Sequence, residues 1–371
     1  MSGRIAMYTG NALKIGFFGA NCSSGRYVTK VPERWSGSWD DNLRLARMAD
    51  DAGIDFLLPI ARWKGYGGEI DYQGAAYETL TWASALLAST KRITVFGTVH
   101  APLLHPLIAA KQMVTADHVG HGRFGLNVVC GWNEGEFEMF GVDARDHAGR
   151  YELGQEWLEA VKATWTRDDF DFDGTYFHMK GVRENPKPYG GTRPLIMNAG
   201  ASPDGRAFAL RNCDALFTSV RLPSFEEASL EQAAIEVASA KREAREMGRE
   251  IDVYTVGVIV CRPTRAEAHA YHRYVTDEHA DWAAVENILR MRGFGSKPPE
   301  ELERFRRQFA NGNSGLPFIG DPDDVAGYLA SVSRAGFRGI AVSLVNYADE
   351  FPYFCDEVLP RLERLGFREP R

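Results

Sequence analysis

The sequence predicts an α/β fold: a (β/α)8 TIM barrel with an insertion before the last helix–strand unit. Three observations predict it. Short apolar runs alternate with amphipathic stretches along almost the whole chain, the pattern of parallel strands joined by right-handed helical crossovers. The strands number about eight, which closes a barrel rather than an open doubly wound sheet. The 371 residues contain no low-complexity linker and no internal repeat. One enlarged barrel domain over 1–371 therefore accounts for the length better than two or three separate domains.

Taken in order, Leu13 to Phe18 reads as the first strand, and Asp40 to Ala52 as a helix stopped by Gly53. Ile54 to Ile60 is the second strand and Glu78 to Ser89 a helix. Ile93 to Val99 is rich in β-branched residues, Pro106 to Val119 is helical, and Arg123 to Cys130 is a strand. Arg150 to Trp165 is a helix, followed by short strands at Leu195 to Asn198 and Ala215 to Val220. A Glu- and Arg-rich helix from about Phe225 to Met247 leads to strand Val253 to Val260. The chain ends with helix Asp323 to Ala335, strand Gly339 to Leu344 and helix Tyr347 to Leu365. Only 280–317 breaks this rhythm, with Pro298-Pro299 and Asn311-Gly-Asn-Ser-Gly. An insertion of that length reads as a lid or an interface.

Composition excludes several functions. There are 43 Lys plus Arg against 50 Asp plus Glu, a net charge of -7. A nucleic-acid groove needs clustered basic residues, so no nucleic-acid partner is expected. No run of about 18 apolar residues is present, and no membrane helix is expected. Met1 to Gly10 lacks the pattern of a secretory signal. The cysteines, Cys22, Cys130, Cys213, Cys261 and Cys355, are odd in number, widely spaced and without C-x-x-C. This fits a reducing cytoplasm rather than a disulfide framework or zinc site.

Motifs narrow the chemistry further. Gly120-His-Gly-Arg-Phe-Gly125 spells G-x-G-x-x-G, but it follows a helix and opens a strand. A dinucleotide fingerprint needs the opposite order, so these glycines read as a C-cap and a turn. No P-loop and no G-x-S-x-G are present. Asp117, His118 and His121, like His269 and His272, lie within single turns, but without H-E-x-x-H they read as helix-face residues, and no metal is expected.

Three segments fall where barrel strands end, the side on which barrels carry active sites. Gly125-Leu-Asn-Val-Val-Cys-Gly-Trp-Asn-Glu-Gly-Glu136 places Asn127 in an apolar strand. A buried amide there needs a partner, either a neighbouring strand or a bound polar ring. Met197-Asn-Ala-Gly-Ala-Ser-Pro-Asp-Gly-Arg206 puts Ser202 at a helix N-cap with Pro203 behind it. Backbone amides, hydroxyl and helix dipole there suit a phosphate, although a plain capped helix reads the same way. Ile60-Ala-Arg-Trp-Lys-Gly-Tyr-Gly-Gly68 combines glycines that admit a ligand to the backbone with the aromatic walls Trp63 and Tyr66. His100 and His105, after the third strand, are candidates for acid–base work.

Together these segments resemble the bacterial luciferase-like flavin monooxygenases. The likeness is carried by Asp50-Asp-Ala-Gly-Ile-Asp-Phe, Lys64-Gly-Tyr-Gly-Gly, Ala109-Ala-Lys-Gln-Met with Asp117, Gly122-Arg-Phe-Gly-Leu-Asn-Val-Val-Cys-Gly-Trp, Arg150-Tyr151 and Asn198-Ala-Gly-Ala-Ser. The subgroup resembled contains the dimethylsulfone, pyrimidine ring-opening, alkanesulfonate and dibenzothiophene-sulfone monooxygenases. Trp165-Thr-Arg-Asp-Asp-Phe-Asp-Phe-Asp-Gly is most similar to the dimethylsulfone type.

The resemblance implies reduced FMN supplied by a separate NAD(P)H:flavin reductase, with O2 and a small organic substrate, in a homodimer or homotetramer. It implies that a flavin peroxide oxygenates the substrate and breaks a carbon–heteroatom bond, a sulfone-like substrate being favoured. It assigns cofactor contacts to Ala61, Arg62, Asn127, Glu136 (in a covering loop), Arg150, Tyr151 and Ser202. Asn127, Thr98 and Arg62 take catalytic roles, and Trp63, Tyr77 and Trp132 line the substrate pocket. Tyr77 stands where the pyrimidine type carries a smaller aliphatic residue, which leaves N5 or C4a of the flavin open as the oxygen-bearing atom. Pro59-Ile-Ala-Arg replaces the usual polar strand end, so a contact at Ala61 is backbone or packing. Alternatives are ring-opening oxygenation of a pyrimidine or other N-heterocycle, an F420-dependent oxidoreductase of the same fold, a catalytically silent flavin-binding protein, and an unrelated sugar-phosphate barrel enzyme.

Overall fold

The computed structural model describes residue 4 and residues 7–143, 145–200, 202–220, 230–312 and 315–370. Eight parallel strands close into a ring: β1 (Lys14–Phe18), β2 (Phe56–Leu58), β3 (Thr94–His100), β4 (Phe124–Val129), β7 (Leu195–Asn198), β8 (Ala215–Phe217), β9 (Asp252–Cys261) and β11 (Gly339–Ser343). Closure runs through β8 to β9 and through β11 to β1. All eight coincide with strands read from the sequence.

Side chains alternate inward and outward along each strand. Phe56, Leu58, Phe96, Leu195, Met197, Phe217 and Tyr254 fill the barrel interior. Phe56 meets Phe96 and Tyr254 edge-on, with ring centroids 5.9 and 5.8 Å apart. Gly16 and Gly125 make this possible, because a Cβ there would stand 2.4 Å from Phe56 and 2.6 Å from Phe96. This aromatic layer fills the barrel interior, and Phe56→Ala would cost about 3–5 kcal/mol. The outward-facing Ile15, Leu57, Val95, Leu126 and Ile196 form a second core under the surrounding helices.

Those helices include α1 (Trp39–Asp51), α2 (Thr79–Ala88), α3 (Pro106–Val119), α4 (Glu134–Met139), α5 (His147–Thr166), α6 (Pro203–Asn212), α7 (Glu231–Glu246) and α8 (Arg265–Arg273). Side chains at their starts accept the free amides: Ser38, Glu78, His105, Asp146 and Ser202 cap α1, α2, α3, α5 and α6. His105 is thus committed to a cap, and its ring packs edge-on against Phe177. Residues 225–229 of the helix expected from Phe225 lie outside the described residues.

Three strands are additional to the expected eight. β5 (Phe170–Asp173) and β6 (His178–Val182) form an antiparallel hairpin on the outside. β10 (Leu316–Gly320) pairs with the upper half of β9, Gly257 to Cys261. Gly257 and Val258 pair with β11 as well, so β10 takes the β9 edge that β8 uses lower down. The 280–317 insertion holds α9 (Trp282–Met291) and α10 (Pro299–Ala310), which build their own apolar cluster with Tyr66 and Tyr72. Asn287 donates to the Tyr66 carbonyl at 2.8 Å, and Asp281 accepts from Ile70 N at 3.0 Å. The chain continues through α11 (Pro322–Arg334), β11, α12 (Tyr347–Tyr353) and α13 (Leu359–Arg364). Instead of one continuous terminal helix, a π-helical turn at Phe354–Val358 joins α12 to α13.

Candidate active site

The C-terminal strand ends surround a cavity of about 410 Å³. Its described lining takes Phe18 from β1, Thr98 and His100 from β3, Asn127 and Val129 from β4, Asn198 from β7, Phe217 from β8 and Val256 from β9. Ala61, Arg62, Trp132, Arg150, Tyr151 and Ser202 also line it, and Arg292 reaches it from the insertion.

Register builds the polar centre. Thr98 lies beside Asn127 across the β3–β4 pair. The Thr98 hydroxyl donates to the Pro59 carbonyl at 2.6 Å, and Asn127 Nδ2 donates to Thr98 Oγ1 at 3.1 Å. The hydroxyl hydrogen is spent on Pro59, so Thr98 accepts from the amide, which orients Asn127. Asn127 Oδ1 is then left buried and without a partner. Asn198 repeats the pattern: Nδ2 donates to the Val128 carbonyl at 2.7 Å and Oδ1 is unpartnered. An unmatched buried acceptor costs about 1–3 kcal/mol, which a ligand N–H or O–H would recover.

Close to Asn198, Ser202 caps α6 by accepting from Gly205 N at 3.1 Å, and Tyr151 Oη lies 3.4 Å from Ser202 Oγ. Gly200 allows β7 to turn tightly into α6, since a Cβ there would stand 2.5 Å from the Gly205 carbonyl carbon. Arg150 adds positive charge, and its Nε is buried without a partner. Helix N-terminus, hydroxyls and guanidinium suit a phosphate.

On a third side, Glu136 lies under Arg62 and is only 3% exposed. Its Oε1 accepts from Arg62 Nη1 at 3.2 Å, Trp63 N at 2.9 Å and Lys64 N at 3.3 Å. Arg62 Nη2 donates to Tyr66 Oη at 2.8 Å, and the guanidinium stands 4.6 Å from the Tyr66 ring centroid. Burial opposes the Arg62 charge, but Tyr66 and Glu136 outweigh it and hold its pKa above the usual value. His100 Nε2 lies 3.9 Å from Glu136 Oε2, and its Nδ1 is unpartnered. Burial pulls the His100 pKa down to about 4, so the ring is neutral at pH 7. Gly131, at φ +79°, turns the chain after β4 so that Trp132 faces the cavity.

The structure gathers Ala61, Arg62, Thr98, Asn127, Trp132, Arg150, Tyr151 and Ser202 around one space. Glu136 belongs to the short helix α4 and lies beneath Arg62 rather than in a covering loop. Trp63 and Tyr77 line an adjoining cavity instead. Asn198, Phe18, Arg26, Phe217 and Arg292 join the lining in addition to the expected residues. Asn198 carried the same signal as Asn127, an amide ending an apolar strand; the others carried none. Cys130 also faces the cavity, and burial pushes its thiol pKa up to about 12. No cluster of three metal-ligating side chains is present among the described residues. No helix among them is long and apolar enough to cross a membrane.

Fold and site together define a parallel α/β barrel with a polar cavity at the C-terminal ends of its strands. The model of the luciferase-like monooxygenase family matches residues 13–339, and the chain belongs to that family. It is 28% identical over 361 residues to an FMNH2-dependent dimethylsulfone monooxygenase of Pseudomonas putida, covering 95% of this chain and 96% of the relative. It is 26% identical over 359 residues to the pyrimidine monooxygenase RutA of Acinetobacter baylyi, covering 94% of each. Among solved structures, a riboflavin lyase crystallised with modified FMN and riboflavin superposes with a TM-score of 0.84 at 24% identity, over 96% of this chain and 92% of the other. DmoA from Hyphomicrobium sulfonivorans superposes at 0.83 with 18% identity, over 97% and 89%.

Proposed function

We propose that the protein is the oxygenase component of a two-component system. It takes reduced FMN from a separate NAD(P)H:flavin reductase and uses O2 to oxygenate a small organic substrate, breaking a carbon–heteroatom bond. A sulfone-like substrate is favoured, in line with the dimethylsulfone monooxygenase relative. The observation that carries the reading is the unpartnered amide oxygen Asn127 Oδ1 in a cavity that the Ser202-capped helix also lines, with a second unpartnered amide oxygen, Asn198 Oδ1, beside the start of that helix. A ligand carrying both ring N–H groups and a phosphate suits this set of groups.

Reduced flavin would supply the two electrons that activate dioxygen. The chain's part is to bind and orient. Ser202, Tyr151 and Arg150 would hold the phosphate. Asn127, fixed by Thr98, would accept a hydrogen bond from the ring system or the oxygenated centre. Arg62 would direct its unpartnered Nε toward a ligand acceptor. α9 and α10 would shield the site from water as a docked cover. Pyrimidine ring opening is the second reading, supported by the RutA relative and by amide oxygens suited to ring N–H groups. Cysteines that form no disulfide among the described residues accord with the cytoplasmic location we expect, and we expect a homodimer or homotetramer.

The test is FMN titration, followed by oxygen uptake with reduced FMN and mass detection over sulfones, sulfonates and pyrimidines. Oxygen-dependent product is expected. Turnover without oxygen would point to hydride transfer with a deazaflavin, and absence of flavin binding would end the reading.

A further inference from the structure

A second cavity, of about 340 Å³, adjoins the first. The two share Ala61, Arg62, Thr98 and His100, so the Arg62–His100 wall has one face in each. The rest of the lining is mainly apolar and aromatic, including Leu80, Val99, Leu103 and Leu104, with the uncharged polar side chains of Thr79, Thr81 and Gln112 among them. At its rim Trp63, Phe140 and Tyr77 remain 43, 41 and 38% exposed. Trp63 and Phe140 meet edge-on with centroids 5.0 Å apart. The volume lies at the small end of pockets for organic ligands and far above the roughly 30 Å³ share of one water molecule.

Charge decides what such a chamber accepts. Among the described lining residues the ionisable groups are Arg62, Glu78 and His100, apart from the Tyr77 phenol. Arg62 is matched by Glu136. The carboxylate oxygens of Glu78 accept from Leu80 N at 2.9 Å and Thr81 N at 2.8 Å. An ionic substrate would lose hydration there without gaining a counter-ion. The shared wall still offers Arg62 Nε and His100 Nδ1, both buried and both without a partner.

We infer that this second chamber is the substrate site. It takes the apolar arm of a neutral organic molecule whose polar oxygen-bearing group is held at the Arg62–His100 wall, facing the first cavity. The assignment rests on the oxygenase reading and deepens it: the substrate is a neutral compound such as a dialkyl sulfone, not an alkanesulfonate.

The experiment is saturation-transfer NMR on the full chain loaded with oxidised FMN, with dimethyl, diethyl and dibutyl sulfone and butanesulfonate as probes. No turnover is needed. Neutral sulfones should bind and the sulfonate should not. Ala76→Phe, which fills the chamber from a position outside the first cavity, should weaken sulfone binding at least about tenfold while FMN affinity is retained. Trp63→Ala opens the rim and should shift preference toward dibutyl sulfone by about tenfold, a reading that stands if Ala76→Phe does not fold. Equal sulfone binding by wild type and Ala76→Phe, preference for the sulfonate, or no sulfone binding by the FMN-loaded protein would overturn the assignment. So would a changed oligomeric state of Trp63→Ala with unaltered sulfone binding, which would give the rim to a second copy. Failure to bind FMN, seen in the titration alone, marks failure of the oxygenase reading instead.

Discussion

Asn127 Nδ2 donates to Thr98 Oγ1 at 3.1 Å only because Thr98 has already given its hydrogen to the Pro59 carbonyl at 2.6 Å. The relay fixes an acceptor, not a donor, on a side chain of the cavity wall. Asn127→Ala is expected to weaken FMN binding about tenfold, the scale of one lost buried hydrogen bond, and at saturating FMN to lose product formation by about 100-fold, the scale of removing one positioned polar group. Thr98→Val should behave similarly and Thr98→Ser should recover activity. Unchanged product formation in Asn127→Ala would remove that residue from the chemistry.

Glu136 carries the charge that balances Arg62. Glu136→Gln leaves a buried guanidinium without its counter-ion and should cost about 3 kcal/mol in urea unfolding. Adding Arg62→Met to that variant should recover most of the loss, because the stranded charge is gone. A double variant less stable than Glu136→Gln alone would contradict this account.

Ser202 caps α6, and the phosphate contact proposed for it can be tested separately. Loss of its cap in Ser202→Ala should cost about 1 kcal/mol of stability. FMN should bind about tenfold more weakly while riboflavin, which lacks the phosphate, should change by less than about twofold. Equal weakening of both ligands in fluorescence titration would place the phosphate elsewhere.

His100 sets an acid limit. Its folded pKa, lowered by burial to about 4, lies below the value of about 6.5 expected in the unfolded chain. Its contribution to stability is therefore complete above about pH 6.5. As pH falls the unfolded chain takes the proton first, and stability drops by up to about 3 kcal/mol by pH 4. Urea unfolding of wild type and His100→Gln between pH 7.5 and 4.5 checks this: the substitution should flatten the profile, and parallel profiles would refute it.

The ring of eight strands was legible because each is a short apolar run closed by turn residues and followed by a helical pattern. The outer strands were not. In β5 the alternation Phe170-Asp-Phe-Asp spans only four residues, and both Phe side chains are half-buried against the outside of α5 and β6. β10 opens Leu316-Pro317 after a Gly-rich stretch, and Pro inside a run argues against a strand. It forms because the upper half of β9 offers an edge that β8 leaves free.

At the site, residues with a local reason for their type were legible: Asn127 in an apolar strand, and Ser202 before Pro203. Arg26 and Arg292 were not, because each reaches the cavity from a segment remote in the chain. Likewise the 136-to-62 pairing and the wall between the two cavities are tertiary facts. Nothing in the residues near Trp63 or Tyr77 distinguishes one chamber from two.

The burial of Cys130 has a consequence for durability. An oxygenase works beside oxidants, and it is the thiolate that oxidants and electrophiles attack. With its pKa near 12, the Cys130 side chain stays a protonated, poorly nucleophilic thiol in the cavity wall. Cys22 and Cys261 are held at the same value, also chiefly by burial. If the cavity houses the oxygenation as proposed, sulfur stands beside the chemistry in its less reactive protonated form, as packing rather than as a nucleophile.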